Sequence, residues 1–464
     1  MATTTPSPDT VIAPGGRRPG AESTIDLGQL AGQTKTGRNR AVDLYRAVAM
    51  LAVAIGHWLV IVAYRRDGQL VSGNALEFIP EFQLLTWIFQ VMPLFFVVGG
   101  FASAASLDSK GLGHESTAAG RADWIAGRLA RLLPPVAALG TFWAAAMALG
   151  YFTGSAGIIS AGAVAAAIPL WFLANYVADV ILAPHVLPLF RRAPGRVVAF
   201  GLTLFALLEI VRVTNVLEPL GWLQHLPHVN WILGWFLFQV AGFAWKDGLL
   251  PEGRRLMLAG AGFGAVALGL VTLGPWPVSM VHFPGLANSP THPPTAALLL
   301  FGAAQASVAM AAAPALTRWL ERRTAAWKSV VGANSMAMTI YLWHMTAGVL
   351  VLAAFDALGL LSSAQPATAG WWLAKIAFLA ASGAVLALIV PRLGRIERSA
   401  LLATRNGWDG SPWKLLSAAI VVSMALKGWT SGNVSVIVPS LMTVVVITKG
   451  LERLNPRLDA GSAR

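Results

Sequence analysis

The chain has 464 residues, 56% of them hydrophobic and only 12% charged, with a net charge of +13 and no cysteine. A soluble globular protein carries about 25% charged residues, so this composition excludes an ordinary soluble fold and points to a polytopic membrane protein. The lack of cysteine excludes disulfides, thiolate metal sites and a cysteine nucleophile.

Residues 1–40 are rich in Pro, Gly, Ser and Thr and have no apolar core, so they read as a disordered cytoplasmic tail. The first apolar run follows Arg38 and Arg40 and lacks a cleavage pattern, so it is expected to be an anchor with a basic cytoplasmic flank. The apolar runs are near 20 residues long and do not alternate, which predicts helices rather than a barrel. Membrane spans are expected at 42–64, 84–106, 130–151, 168–189, 197–217, 229–246, 256–275, 294–314, 330–355 and 370–391.

The basic clusters then share one side: Arg121, Arg128 and Arg131; Arg191, Arg192 and Arg196; Arg254 and Arg255; Arg318 to Lys328; Arg392 to Arg398. Such a bias marks cytoplasmic loops. It accounts for the net charge without a nucleic-acid partner and predicts a cytoplasmic amino terminus in the cell membrane. Arg65 and Arg66 are the main exception on the opposite side. Apolar stretches at 415–426 and 434–448 are short, so residues 401–450 are expected to add two short passes or a re-entrant hairpin, with 451–464 a cytoplasmic tail. The expected fold is all-α, a transmembrane bundle of about ten core helices plus this C-terminal hairpin.

Ionisable groups at membrane depth are costly and mark functional sites by default. The first span carries Asp43, Arg46 and His57. Eleven residues at 100° make about 1100°, close to three full turns, so Arg46 and His57 share a helix face about 16 Å apart along the axis. A guanidinium fork binds phosphate or carboxylate, and a neutral imidazole takes a proton from a hydroxyl or carries an acyl group. Asp43 is placed to pair with Arg46. Arg128 and Arg131, spaced i,i+3 where the third helix begins, project together and suit a polyphosphate.

His344 and Tyr341 share a face of the ninth span, at a depth similar to that of His57. The fourth span carries Trp171, Asn175, Tyr176 and Asp179, and the fifth an expected structural ion pair of Glu209 with Arg212. The polar, Pro-rich stretch 280–294 holds His282 and His292 and reads as an extracytoplasmic, substrate-side loop. Its spacing gives no metal site. No Gly-x-Ser-x-Gly, P-loop or His-Glu-x-x-His is present.

These pieces, in this order, resemble the membrane-bound acyltransferase 3 family. The match includes Arg46-x10-His57 within Val42-Asp-Leu-Tyr-Arg46, Phe95-Phe-Val-Val-Gly-Gly-Phe101, Arg128-x-x-Arg131 followed by Pro134, Leu170-Trp-Phe-Leu173, and Tyr341-Leu-Trp-His344. The resemblance covers roughly residues 38–400, and 41–400 is expected to be the acyltransferase transmembrane domain.

It implies transfer of an acyl group, commonly acetyl from acetyl-CoA, to a hydroxyl of a sugar, lipid-linked glycan or secondary metabolite, with no metal. His57 and Arg46 are then the expected catalytic residues. Arg128, Arg131 and Arg46 are expected to hold the acyl-CoA phosphates. His344, Tyr341, Asp43, Trp171 and Asn175 are expected to contact or support the substrate. The pantetheine arm would span the distance from Arg46 to His57, whether His57 is base or acyl carrier. A transporter or flippase is the competing reading, without the inverted repeat that marks many of them. A membrane scaffold or sensor leaves the Arg and His stripe unexplained.

Overall fold

The helix carrying Arg46 and His57, α1 (Arg40–Val60), buries Ala41, Tyr45, Met50, Ala54 and Trp58, and turns Val48, Leu51 and Ile55 outward. That division suits a helix with one face on protein and one on lipid. The computed structural model describes residues 38–403 apart from Ala287. The expected tail up to residue 37, and the expected C-terminal hairpin and tail beyond residue 403, lie outside the described residues.

The first expected span is too long by one turn. α1 ends at Val60, and the chain continues as a hairpin of β1 (Ile61–Arg66) and β2 (Gln69–Asn74), antiparallel with Ile61 opposite Asn74. The cause is local. Ile61 and Val62 are β-branched, and Asp67-Gly68 has positive φ at both residues, the signature of a two-residue hairpin turn. The hairpin also explains the charge exception. Arg65 binds Asp356 at 2.6 Å, so this cation on the opposite side is neutralised by an acid in the last turn of the helix Ala337–Ala357.

α2 (Ala75–Phe78) and α3 (Phe82–Phe89) lead to α4 (Met92–Asp108). The second span is therefore broken at Gln90, just before Pro93, a residue tolerated in a helix's first turn but not in its interior. The Gln90 side chain fills the break, donating to Met280 O at 2.7 Å and accepting from Met92 N at 3.3 Å.

α5 (Ala118–Thr153) starts at the Thr117 cap and stops at left-handed Gly154, so the Arg128 and Arg131 stretch, expected as a loop into the span, is helical. α6 (Ala156–Ala167) and α7 (Leu170–Arg192) are separated by Ile168-Pro169. α8 (Pro194–Thr214), a 3-10 segment Glu218–Val229, α9 (Asn230–Lys246), α10 (Gly253–Leu273) and α11 (Ala296–Arg322) follow. The ninth expected span is split at Met336 into α12 (Thr324–Ser335) and α13 (Ala337–Ala357), and α14 (Ala369–Ala403) closes the described chain.

Among the described residues, nine helical stretches are long and apolar enough to cross a membrane. The sixth expected span, α9, has 17 residues. It rises about 25 Å and lies inside the bundle with Trp235, Gln239 and Phe243 buried. The protein is an all-α, multi-pass membrane helix bundle.

Two features hold α4 and α9 together. A methyl group at Gly100 would meet the Gln239 carbonyl, and one at Gly242 would meet the Val97 carbonyl, so the helices touch backbone to backbone. At their C-terminal ends Arg191 of α7 forks onto Asp108 and Asp247, joining α4, α7 and the end of α9. α13 packs against α1, α5, α6 and α14, which places its middle beside the last turn of α1.

Candidate active site

His57 and His344, 287 positions apart, meet with Nδ1 of His57 2.8 Å from Nε2 of His344. Their ring planes lie within 10° of parallel and their centroids are 5.1 Å apart. With that N···N distance the rings join edge to edge, not face to face. His344 Nδ1 lies 2.6 Å from Tyr341 O. A carbonyl only accepts, so His344 Nδ1 carries hydrogen and, in the neutral ring, Nε2 accepts. The network therefore assigns the hydrogen between the rings to His57 Nδ1. The lone pair of His57 is left on Nε2. His344 is fully buried, whereas His57 keeps part of its surface accessible.

Neighbouring groups fix this pair. Trp58 donates through Nε1 to His344 O at 2.8 Å. The Tyr341 hydroxyl donates to Pro169 O at 2.5 Å, tying α13 to the start of α7. Trp143 of α5 donates to Thr346 at 3.1 Å. Lys375 of α14 is buried. Its ammonium donates to Trp58 O at 3.4 Å and to Ile61 O, and it lies 4.9 Å from the Trp371 ring centroid and 5.3 Å from that of Phe378. A helix leaves its last carbonyls without partners and carries partial negative charge there. Lys375 supplies both donors and charge to the end of α1, within one turn of His57.

Arg46 lies nearer the start of α1. Its Nε donates to Asn334 Oδ1 at 2.6 Å, and Asn334 Nδ2 donates back to Asp43 O at 2.8 Å. The expected Asp43 partner is 3.7 Å away because Asp43 is gripped more closely by Arg38, at 2.6 and 2.8 Å. The Asp43 carboxylate raises the Arg38 pKa through that hydrogen bond. Arg46 remains 36% exposed and hydrogen-bonds only through Nε among the described residues.

Arg128 and Tyr176 both lie within electrostatic range of Arg46 and of Arg131. Arg128 also rests on the Trp124 ring, 4.8 Å from its centroid. The three expected cations thus share one neighbourhood, with Tyr176 near Arg46 and Arg131.

A continuous set of rings runs from that cluster to the histidines. Tyr176 stacks on Phe172 at 5.8 Å, Phe172 meets Tyr341 at 5.3 Å, and Tyr341 meets His344 at 6.0 Å. Phe95 packs on Phe172 and Tyr176. The Phe95–Phe101 motif therefore supplies a ring to this wall and a glycine to the α4–α9 contact.

Trp171 and Asn175 point elsewhere. Trp171 packs against Trp235 and His292, and Asn175 Nδ2 donates to the Trp171 carbonyl of its own helix. Asp179 is fully buried and, among the described residues, its carboxylate meets no hydrogen-bond donor, while its backbone carbonyl accepts from Gln239.

Sequence reasoning overlooked Lys375, Asn334 and Trp58. Lys375 carried a usable signal, a cation inside an apolar run, which is the same argument that singled out His57. Asn334 and Trp58 carried none.

The family model described as an acyltransferase domain, of the acyltransferase 3 type, matches residues 39–390. No curated protein and no solved structure matches the chain.

Proposed function

The chain belongs to the acyltransferase 3 family, and on that premise we propose that this membrane acyltransferase moves an acyl group, acetyl foremost, from acyl-CoA to a hydroxyl of a carbohydrate, glycolipid or secondary metabolite, with His57 as general base. The observation that carries the reading is the relay of Tyr341 O, His344 and His57, with contacts of 2.6 and 2.8 Å. It leaves a base lone pair on Nε2 of His57, which makes no protein hydrogen bond among the described residues. A general base placed this way contributes about 10²- to 10⁴-fold to rate.

The donor enters from the end that holds Arg46, Arg128 and Arg131, in a cell membrane with a cytoplasmic amino terminus. Guanidinium forks suit its phosphates. The pantetheine arm runs along Tyr176 and Phe172 and brings the thioester to His57. The span is on the order of 16 Å along α1.

His57 Nε2 then takes the proton of the acceptor hydroxyl as that oxygen forms a bond to the thioester carbonyl carbon. The carbon–sulfur bond breaks, and the leaving sulfur recovers the proton from His57, giving ester and free CoA thiol. While His57 is protonated, its Nδ1–H stays bonded to His344, whose own Nδ1–H stays bonded to the Tyr341 carbonyl. The ring is held in one orientation through the cycle.

The test is CoA release by purified enzyme with acetyl-CoA and extracted envelope glycans. His57→Ala is expected to lower kcat by about 10²-fold or more. Arg128→Ala is expected to raise donor KM with kcat nearly unchanged. Wild-type turnover by His57→Ala overturns the assignment.

A further inference from the structure

We propose that the cavity between the 3-10 segment Glu218–Val229 and the loop 276–295 is a binding subsite for an uncharged, polyhydroxylated ligand, the outer part of the acceptor. The acceptor role rests on the transferase reading; the binding itself does not. The cavity has a volume of about 450 Å³, within the roughly 300–1,000 Å³ of small-molecule sites. It opens at the ends of α8, α10 and α11 opposite the Arg191 cluster, since each of these helices runs once through the bundle.

The lining is dense in hydrogen-bonding groups yet poor in free charge. Gln224, His228, Asn288 and His292 contribute hydrogen-bond donors and acceptors. Arg212 also lines it, but its guanidinium is held fork to fork by Glu209 at 2.9 Å, so its charge is balanced within the protein. Glu209 is fixed further by the Trp276 indole at 3.1 Å and the Ala296 amide at 3.3 Å. The remaining charge, Glu218, is negative and exposed. A phosphate or carboxylate ligand finds no uncommitted cation here, whereas hydroxyls find both donors and acceptors.

The walls are built before any ligand arrives. Ser289 Oγ accepts from the amides of Thr291 and His292 at 3.3 and 3.0 Å, which holds the loop turn. His292 Nδ1 lies 2.7 Å from the Thr291 hydroxyl, and its ring packs on Trp171 at 5.3 Å and Trp231 at 5.7 Å. His292 is the inner wall. Trp171 beneath it lies two residues from Pro169, whose carbonyl holds Tyr341 beside His344. The cavity and the histidine pair are therefore joined through the first turn of α7.

The experiment is hydrogen–deuterium exchange on the full chain in nanodiscs, titrated with methyl α-glucoside or with glucose 1-phosphate. The glucoside is expected to protect 218–230 and 288–296 saturably, in wild type and in His57→Ala alike. His292→Ala and Gln224→Ala, on two different elements, are each expected to weaken that protection at least fivefold in apparent Kd. No protection by the glucoside, stronger protection by glucose 1-phosphate, or protection unchanged in both variants overturns the subsite. Because His57→Ala is included and no turnover is read, failure of the acyltransfer mechanism leaves this result unchanged.

Discussion

At the scale of single residues, a histidine becomes a directed base only when its other nitrogen is committed. His344 commits His57 Nδ1, and the Tyr341 carbonyl in turn commits His344. Lys375 acts one step further out, on the carbonyl end of the helix that carries His57. It touches no reacting atom, so it is a positioning residue. Lys375→Met is expected to lower kcat on the order of tenfold while donor KM stays near wild type, because the cation cluster lies at the other end of α1. Steady-state CoA release checks this; an equal rise in KM, or no change in kcat, contradicts it. The Arg46 and His57 stripe was legible in the sequence from helix period alone. The His57–His344 bond was not, because nothing in a one-dimensional pattern tells which residue 287 positions away supplies a partner. Lys375 was legible by cost of burial and was passed over.

At the scale of elements, nearly all expected spans recur as helices, since a run of about 20 apolar residues has few other ways to satisfy its backbone in lipid. What the pattern missed are the interruptions at Ile61, Gln90 and Met336. Each falls where apolar composition continues while the backbone changes, so hydropathy alone does not register it. Asp67-Gly68 and Pro93 were the local signals for two of them. Another irregular element, the loop 276–295, makes a pH prediction. Burial of the His292 ring and, secondarily, the nearby His282 push its pKa from 6.5 down to about 4. With the loop unfolded the ring binds a proton near 6.5, and with it folded only near 4. Between these values the unfolded loop holds more protons, so the stability that His292 contributes is fully present above 6.5 and is lost as pH falls toward 4. Amide protection of 288–296, corrected for intrinsic exchange, is expected to fall over that window in wild type and to fall less in His292→Gln. Equal pH dependence in both contradicts the role of His292.

At the scale of the whole molecule, the bundle has two unlike ends. One brings Arg46, Arg128 and Arg131 into one neighbourhood with Tyr176, and the other has a polar cavity whose lining arginine is paired. Between them, α1 and α13 bring His57 and His344 into one unit, with α7 fastened to α13 through Pro169 and Tyr341. The basic loops announced the first end, whereas the second depends on a loop fold that composition does not specify.

If the two histidines form one relay, their contributions to rate are not independent. The most direct measurement is a double-mutant cycle in kcat for CoA release with His57→Ala, His344→Ala and the double variant. The account predicts that His344→Ala loses about tenfold or more, His57→Ala loses more, and the double variant is no slower than His57→Ala. Losses that multiply in the double variant, or a His344→Ala enzyme as fast as wild type, contradict it.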